Sequence, residues 1–316
     1  MFNNLIIKVM KKILFLAAVT AIALTACTKT ETTAVSEGNL IKFDNAFVGN
    51  VTKADVEDLT KDNIQHFYVF GTKTDVPDFF KNVLVTKNGS AWTYDALKQW
   101  EASEYTFAAY SNGGLNTTGD QLSNATWADN TLTITDYTVD QKDLVASISQ
   151  TNINTTNQAV AFTFAHTLSM IKFTLESSLG DEDNAITISG FQVSGLKDKA
   201  TLEYTSAGAQ WTAPNESKTF VNDDITVTTT TSGESDSFVV IPQTVTDVKV
   251  SFTATIYGLD PKNLTATIAD TWAPGYRYNY VATITGEDMD IIEFTLADVT
   301  PWDDTEWDTP IQEDID

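Results

Sequence analysis

The chain has 316 residues, 42% of them hydrophobic and 11% aromatic, which is too apolar for disorder and enough for one large core or two of ordinary size. It carries 43 acidic residues against 19 basic ones, net −24, which argues against a Lys/Arg surface for nucleic acid and against charge-driven docking to anionic lipid. One Cys excludes an intramolecular disulfide and a Cys-based zinc cluster, and two His, His66 and His166, exclude a His-rich metal centre.

The N-terminus reads as an export signal. Lys8, Lys11 and Lys12 form a positive region, and Ile13 to Ala26 is an apolar run of 14 residues. That is too short for a membrane-spanning helix, which needs about 20 residues, and it fits the hydrophobic part of a secretory signal. The run ends Leu24-Thr25-Ala26-Cys27, which resembles a lipobox, so cleavage is expected between Ala26 and Cys27 with acylation of the Cys27 thiol. Met10-Lys11-Lys12 also reads as a natural start. Losing residues 1–26 removes three Lys and no acid, leaving a net charge of −27. Two or three acyl chains hold such a body durably at a membrane, each buried methylene contributing about 0.8 kcal/mol. Residues 27–38 are a Thr/Ser/Glu-rich tether.

From Leu40 onward apolar and polar residues alternate. The first strand is expected over Leu40–Val48, with Ile41, Phe43 and Phe47 on one face and Lys42 and Asp44 on the other. Further period-two segments are Ile64–Phe70, Tyr105–Tyr110, Thr131–Thr135, Ala159–Phe164, Met170–Leu175 and Ala185–Val193. Ile225–Thr231, Phe238–Ile241, Val248–Tyr257, Tyr276–Ile284 and Ile291–Leu296 follow. They are rich in Val, Ile, Thr, Phe and Tyr, and turn signals such as Lys87-Asn88-Gly89 and Ser232-Gly233 separate them. Ser90 is positioned to cap one short helix across Ala91–Trp100. Many short strands at this spacing mean sandwiches or barrels, so the fold class is all-β. Two domains, 39–157 and 158–316, suit domain-size norms better than one, with the seam in the polar stretch Gln150–Gln158.

Six phrases, in order, resemble the fimbrillin family of Bacteroidetes pilins and pilus-associated lipoproteins. They are Tyr105-Thr106-Phe107-Ala108-Ala109-Tyr110 after Trp100; Asp143-Leu144-Val145-Ala146; Phe162 to Phe173 (FTFAHTLSMIKF); Phe238-Val239-Val240-Ile241-Pro242-Gln243-Thr244; Trp272 to Tyr280 (WAPGYRYNY); and Val299 with Trp302. The resemblance implies two tandem transthyretin-like β-sandwich domains. The same residues also have plain structural readings. Pro242 ends a strand because it lacks an N–H, Pro274-Gly275 is a turn pair, and His166 reads as a hydrogen-bonded structural residue rather than a ligand.

The resemblance further implies a structural subunit of a cell-surface pilus, exported as an acylated precursor to the outer membrane, with other pilus subunits as partners. In polymerising members a protease cuts in the loop after the first strand, and a strand from the next subunit fills the groove left behind. The family's usual cut follows Arg. Here Arg277 is the only Arg, so Lys53 is the candidate cleavage site. Ile292, Phe294 and Leu296 form the candidate donor strand, followed by an acidic tail. If Lys53 stays uncut, the subunit keeps its first strand and lipid. It would then serve as an anchor or tip, or as a stand-alone surface lipoprotein binding glycans or host proteins through exposed Trp or Tyr.

Catalytic patterns such as G-x-S-x-G, H-E-x-x-H and a Gly-rich phosphate loop do not occur, so no enzyme activity, cofactor, metal or nucleic-acid partner is expected. Asp181-Glu182-Asp183-Asn184 lacks the spacing of a calcium loop and reads as a solvated turn.

Overall fold

The computed structural model describes residues 39–47, 58–115, 120–151, 159–181, 183–215, 217–255, 260–285 and 293–302. Twenty-two strands lie among them. The first eight are β1 (Phe43–Phe47), β2 (His66–Lys73), β3 (Val76–Asn88), β4 (Ala91–Tyr94), β5 (Tyr105–Asn112), β6 (Ala125–Ala128), β7 (Thr131–Thr138) and β8 (Leu144–Thr151). Next come β9 (Val160–Thr163), β10 (Ala165–His166), β11 (Ser169–Ser177), β12 (Ile186–Leu196), β13 (Lys199–Thr205), β14 (Gly208–Asn215), β15 (Lys218–Val221) and β16 (Ile225–Val227). The last six are β17 (Gly233–Glu234), β18 (Phe238–Val240), β19 (Thr244–Thr255), β20 (Lys262–Thr271), β21 (Tyr276–Ile284) and β22 (Thr295–Pro301). The all-β expectation holds.

The first large sheet has the order β10-β8-β5-β2-β3-β4. Its central strands are buried on both faces. Phe67, Val69, Phe107, Ala109 and Val145 pack into one apolar cluster, together with Ile41, Phe43 and Phe162 of the β1–β9 layer. Tyr68, Phe70, Ala108, Tyr110 and Ala146 point the other way, into a second cluster shared with Trp127 and Ile134 from β6 and β7. Double burial is why β2 is apolar almost throughout and does not alternate.

The second half contains a β-sandwich. One sheet has the order β17-β11-β21-β22, with β18 also on β11; the other has the order β15-β12-β19-β20, with β16 also on β12. Their inner faces meet where Phe173 packs on Phe191, ring centroids 5.5 Å apart, and Phe191 stacks on Phe252 at 5.8 Å. The two halves exchange strands. β9 pairs with β1 and β10 with β8, while β13 pairs with β7 to complete the sheet β14-β13-β7-β6.

Two local expectations are corrected. Residues 91–94 are strand β4 rather than the start of a helix. Gly89 takes a left-handed φ of 64° between Asn88 and Ala91, which face each other across a two-residue turn, so the chain reverses into a hairpin before any helix can start. The last strand is Thr295–Pro301, set later than the expected Ile291–Leu296, of which residues 291 and 292 lie outside the described residues.

Candidate functional site

The first strand sits between neighbours on both sides. Toward β9 the pairing is parallel, with Phe43 opposite Val160, Asp44 opposite Ala161 and Ala46 opposite Phe162 across a bulge. The Val160 N–H donates to the Lys42 carbonyl at 2.7 Å. On the other side the Ile41 N–H donates to the Lys98 carbonyl at 2.8 Å, and the Trp100 N–H donates to the Asn39 carbonyl at 2.9 Å. The Tyr94 hydroxyl donates to the Ile41 carbonyl at 2.8 Å.

The alternation expected from sequence is seen in the seating of this segment. Ile41 and Phe43 are buried and Lys42 and Asp44 are exposed. Phe43 is an aromatic hub. Its ring lies 5.3 Å from Tyr94, 5.6 Å from Phe80, 5.9 Å from Phe162, 6.1 Å from Phe107 and 6.2 Å from Phe67. Four of these five pairs meet edge to face, the favoured geometry of aromatic quadrupoles. Phe47 belongs to β1 by its backbone pairing with Thr163. Beside this strand lies a cleft of about 400 Å³, bounded by residues 40–44 and by 90–94 with Leu97 and Ala159.

At the C-terminal end, the residues expected to share one donor face part company. Phe294 is buried and meets Phe173 edge-on at 5.3 Å, whereas Leu296 is 41% exposed at the margin of the sheet. Beyond the strand Trp302 is fully buried. Its indole stacks on the His166 imidazole with centroids 4.8 Å apart and planes within 5°. The Trp302 backbone N–H donates to the Gly275 carbonyl at 2.7 Å. Gly275 has φ 78°, and an added Cβ would meet the His166 carbonyl at 3.3 Å, so the turn after Pro274 requires glycine.

Trp302 abuts a buried ionic cluster that sequence reasoning did not assemble. The Arg277 Nη2 donates to Asp58 Oδ2 at 2.7 Å. His166 Nδ1 lies 2.9 Å from Asp143 Oδ2, and the Leu59 N–H donates to that same oxygen at 2.9 Å. All four charged or titratable side chains are buried. Burial pushes the Asp58 carboxyl up from its ordinary 3.8 to about 6, and the Asp143 charge adds to the effect, while Arg277 and His166 pull the other way. His166 is thus a hydrogen-bonded structural residue. The cluster joins the start of the described chain after residue 57, the approach to β8, strand β10, strand β21 and the end of β22.

Cys27, Ala26, Lys53 and Ile292 lie outside the described residues. Among the described residues Trp92 and Trp211 are half-buried and the other Trp side chains are buried. The Asp181 carboxylate accepts the backbone N–H groups of Asp183 and Asn184, which accounts for that acidic turn by local hydrogen bonding.

A sequence model of the fimbrillin-like family matches residues 52–302. The fold is similar to that of a fimbrial protein from Bacteroides vulgatus, with TM-score 0.54, 17% identity, and 84% of this chain and 99% of that one covered. It is also similar to proteins assigned to cell adhesion from Bacteroides uniformis (TM-score 0.52, 20% identity, 84% and 98% covered) and Bacteroides ovatus (0.53, 14%, 84% and 98%). No curated protein matches the chain. With four-fifths of its length inside one family match, the chain belongs to the fimbrillin-like family.

Proposed function

We propose that this chain is a structural subunit of a cell-surface pilus that assembles by strand exchange. The observation that carries the reading is the seating of residues 39–43. They are hydrogen-bonded on both sides and supply Ile41 and Phe43 to the core of the first sheet. Taking them away leaves an apolar slot flanked by unpaired backbone groups at Lys98, Trp100 and Val160, which is what an added strand satisfies. Head-to-tail addition of this kind does not close on itself, so it yields a filament.

In this reading Cys27 carries the lipid that holds the precursor at the outer membrane, and cleavage after Lys53 releases the first strand. The C-terminal segment that includes Ile292, Phe294 and Leu296 is donated to the next subunit. The chain divides near residues 150–158 into two domains, each lending strands to the other. Phe294 sits in its own sandwich, so donation of that segment requires it to leave Phe173.

Mass analysis of the N-terminus of polymerised surface material tests the cleavage step. Molecules beginning at Ala54 are expected; if every molecule begins with acylated Cys27, assembly does not proceed through loss of the first strand.

A further inference from the structure

The cleft beside the first strand has the form of two strand edges facing each other. All five residues from Leu40 to Asp44 line it, and so do all five from Ser90 to Tyr94. A strand that shows a face to a cavity presents only alternate residues; one that shows its edge presents every residue. The β4 edge is open among the described residues, whereas residues 39–41 of the facing segment are already bonded to Lys98 and Trp100. β4 pairs only with β3, and β1 pairs only with β9. Asn88 and Ala91 are the pair closing the two-residue turn, so the backbone N–H and C=O groups of Trp92 and Tyr94 point away from β3. Where a ladder between β4 and β1 would run, the join is made by a side chain, the Tyr94 hydroxyl on the Ile41 carbonyl.

The cleft is also the less acidic part of an acidic molecule. Lys42 and Asp44 are its charged lining residues, and Lys87 lies over the ring of the lining Trp92 at 5.8 Å. The cleft therefore lacks the acid excess of a chain with 43 acids and 19 bases. The complementary segment is in the same sequence. Residues 303–316 hold seven acids and no base, and Trp307, Ile311 and Ile315 would fall on one face if the segment is extended. Trp302 and Phe294 are buried in their own subunit, so the stretch beyond Trp302 can engage a neighbour without breaking that packing.

We infer that this cleft is the entry site for a second copy of the chain: its residues 303–316 pair with the Trp92–Tyr94 edge before the first strand leaves. The inference rests on the strand-exchange reading and adds its first step. Docking precedes displacement, so the groove is not left open to water between the two.

The test uses the full chain carrying Lys53→Gln, which keeps the first strand, and a synthetic peptide of residues 303–316, with binding followed by calorimetry. Saturable binding is expected, at least tenfold weaker in Leu97→Glu and in Lys42→Glu. Both positions are exposed, Leu97 by 54%, so both variants should fold; Val221→Glu, 67% exposed elsewhere, should bind like the parent. No binding, equal binding of a scrambled peptide, or binding unchanged in both cleft variants overturns the inference. Gel ladders of the cleavable chain separate the two ideas. Ladders forming at the parental rate in both cleft variants reject the entry site and leave strand exchange standing. Peptide binding at the cleft in a protein that never forms ladders rejects strand exchange instead.

Discussion

Asp58 and Arg277 stand 219 positions apart and meet through a 2.7 Å hydrogen bond, with both side chains shut off from solvent. A buried ion pair is a modest source of net stability while intact, because desolvation offsets much of the attraction. Breaking it is another matter. Arg277→Met is expected to cost about 3–5 kcal/mol, since Asp58 then keeps Asp143 as a neighbour without its guanidinium. Replacing both, as Asp58→Leu with Arg277→Met, should recover a large part of the loss. Denaturant titration of both single variants and the double checks this; a double loss equal to the sum of the two single losses would show that the pair is not coupled.

The raised pKa of Asp58 gives a signed pH dependence. The folded chain holds the proton up to about pH 6, whereas the ordinary value is 3.8. The contribution of this group is therefore fully present below about pH 4 and fades as pH rises through about 6. Relative to Asp58→Asn, which cannot titrate, the parent should gain up to about 3 kcal/mol on going from pH 7 to pH 4, at about 1.36 kcal/mol per unit of pKa difference. Unfolding curves of both proteins across that range measure it, and a difference that grows toward pH 7 would contradict the assignment.

Much of the frame was legible because half-buried strands alternate. Ile41 and Phe43 against Lys42 and Asp44 are seated as their pattern suggests. β2 departs from the period-two reading of Ile64–Phe70, because burial on both faces makes it apolar almost throughout. β3 hides for another reason: it begins Val76-Pro77, and its pairing with β2 shifts register near Gly71. Bulges change which residues share a face, so period two breaks inside a real strand. The ionic cluster was harder still. Asp58 and Asp143 lie among other acids and lysines, and nothing local marks which carboxylate is buried. Arg277 did carry a signal. It is the chain's single Arg and sits between two tyrosines of an alternating strand, hence on the face opposite their rings.

Phe43→Ala should destabilise the uncleaved chain by about 3–5 kcal/mol, the range for truncating a buried Phe. Material that begins at Ala54 lacks the residue, so once the first strand is gone parent and variant should be indistinguishable. Thermal or denaturant unfolding before and after cleavage reads both halves of this expectation. A loss below about 1 kcal/mol in the precursor would show that the ring is not seated in the core.

On the proposed reading, Cys27→Ser removes the thiol that takes the lipid. The protein is expected to leave the membrane fraction and to lose incorporation of labelled palmitate, with the fold unchanged because residues 39 onward hold the core. Continued detergent-phase partitioning of the variant would place the anchor elsewhere.

The slot held by residues 39–43 has a mechanical consequence. Its occupant is bonded to Lys98 and Trp100 on one flank and to Val160 on the other, with its axis running along both neighbours. Tension that pulls an occupant along that axis strains these bonds together in shear, whereas tension across it would open them one after another. A filament joined through such slots resists stretching by the simultaneous rupture of many weak bonds, and its lifetime under flow is set by an unfolding rate rather than by an equilibrium affinity.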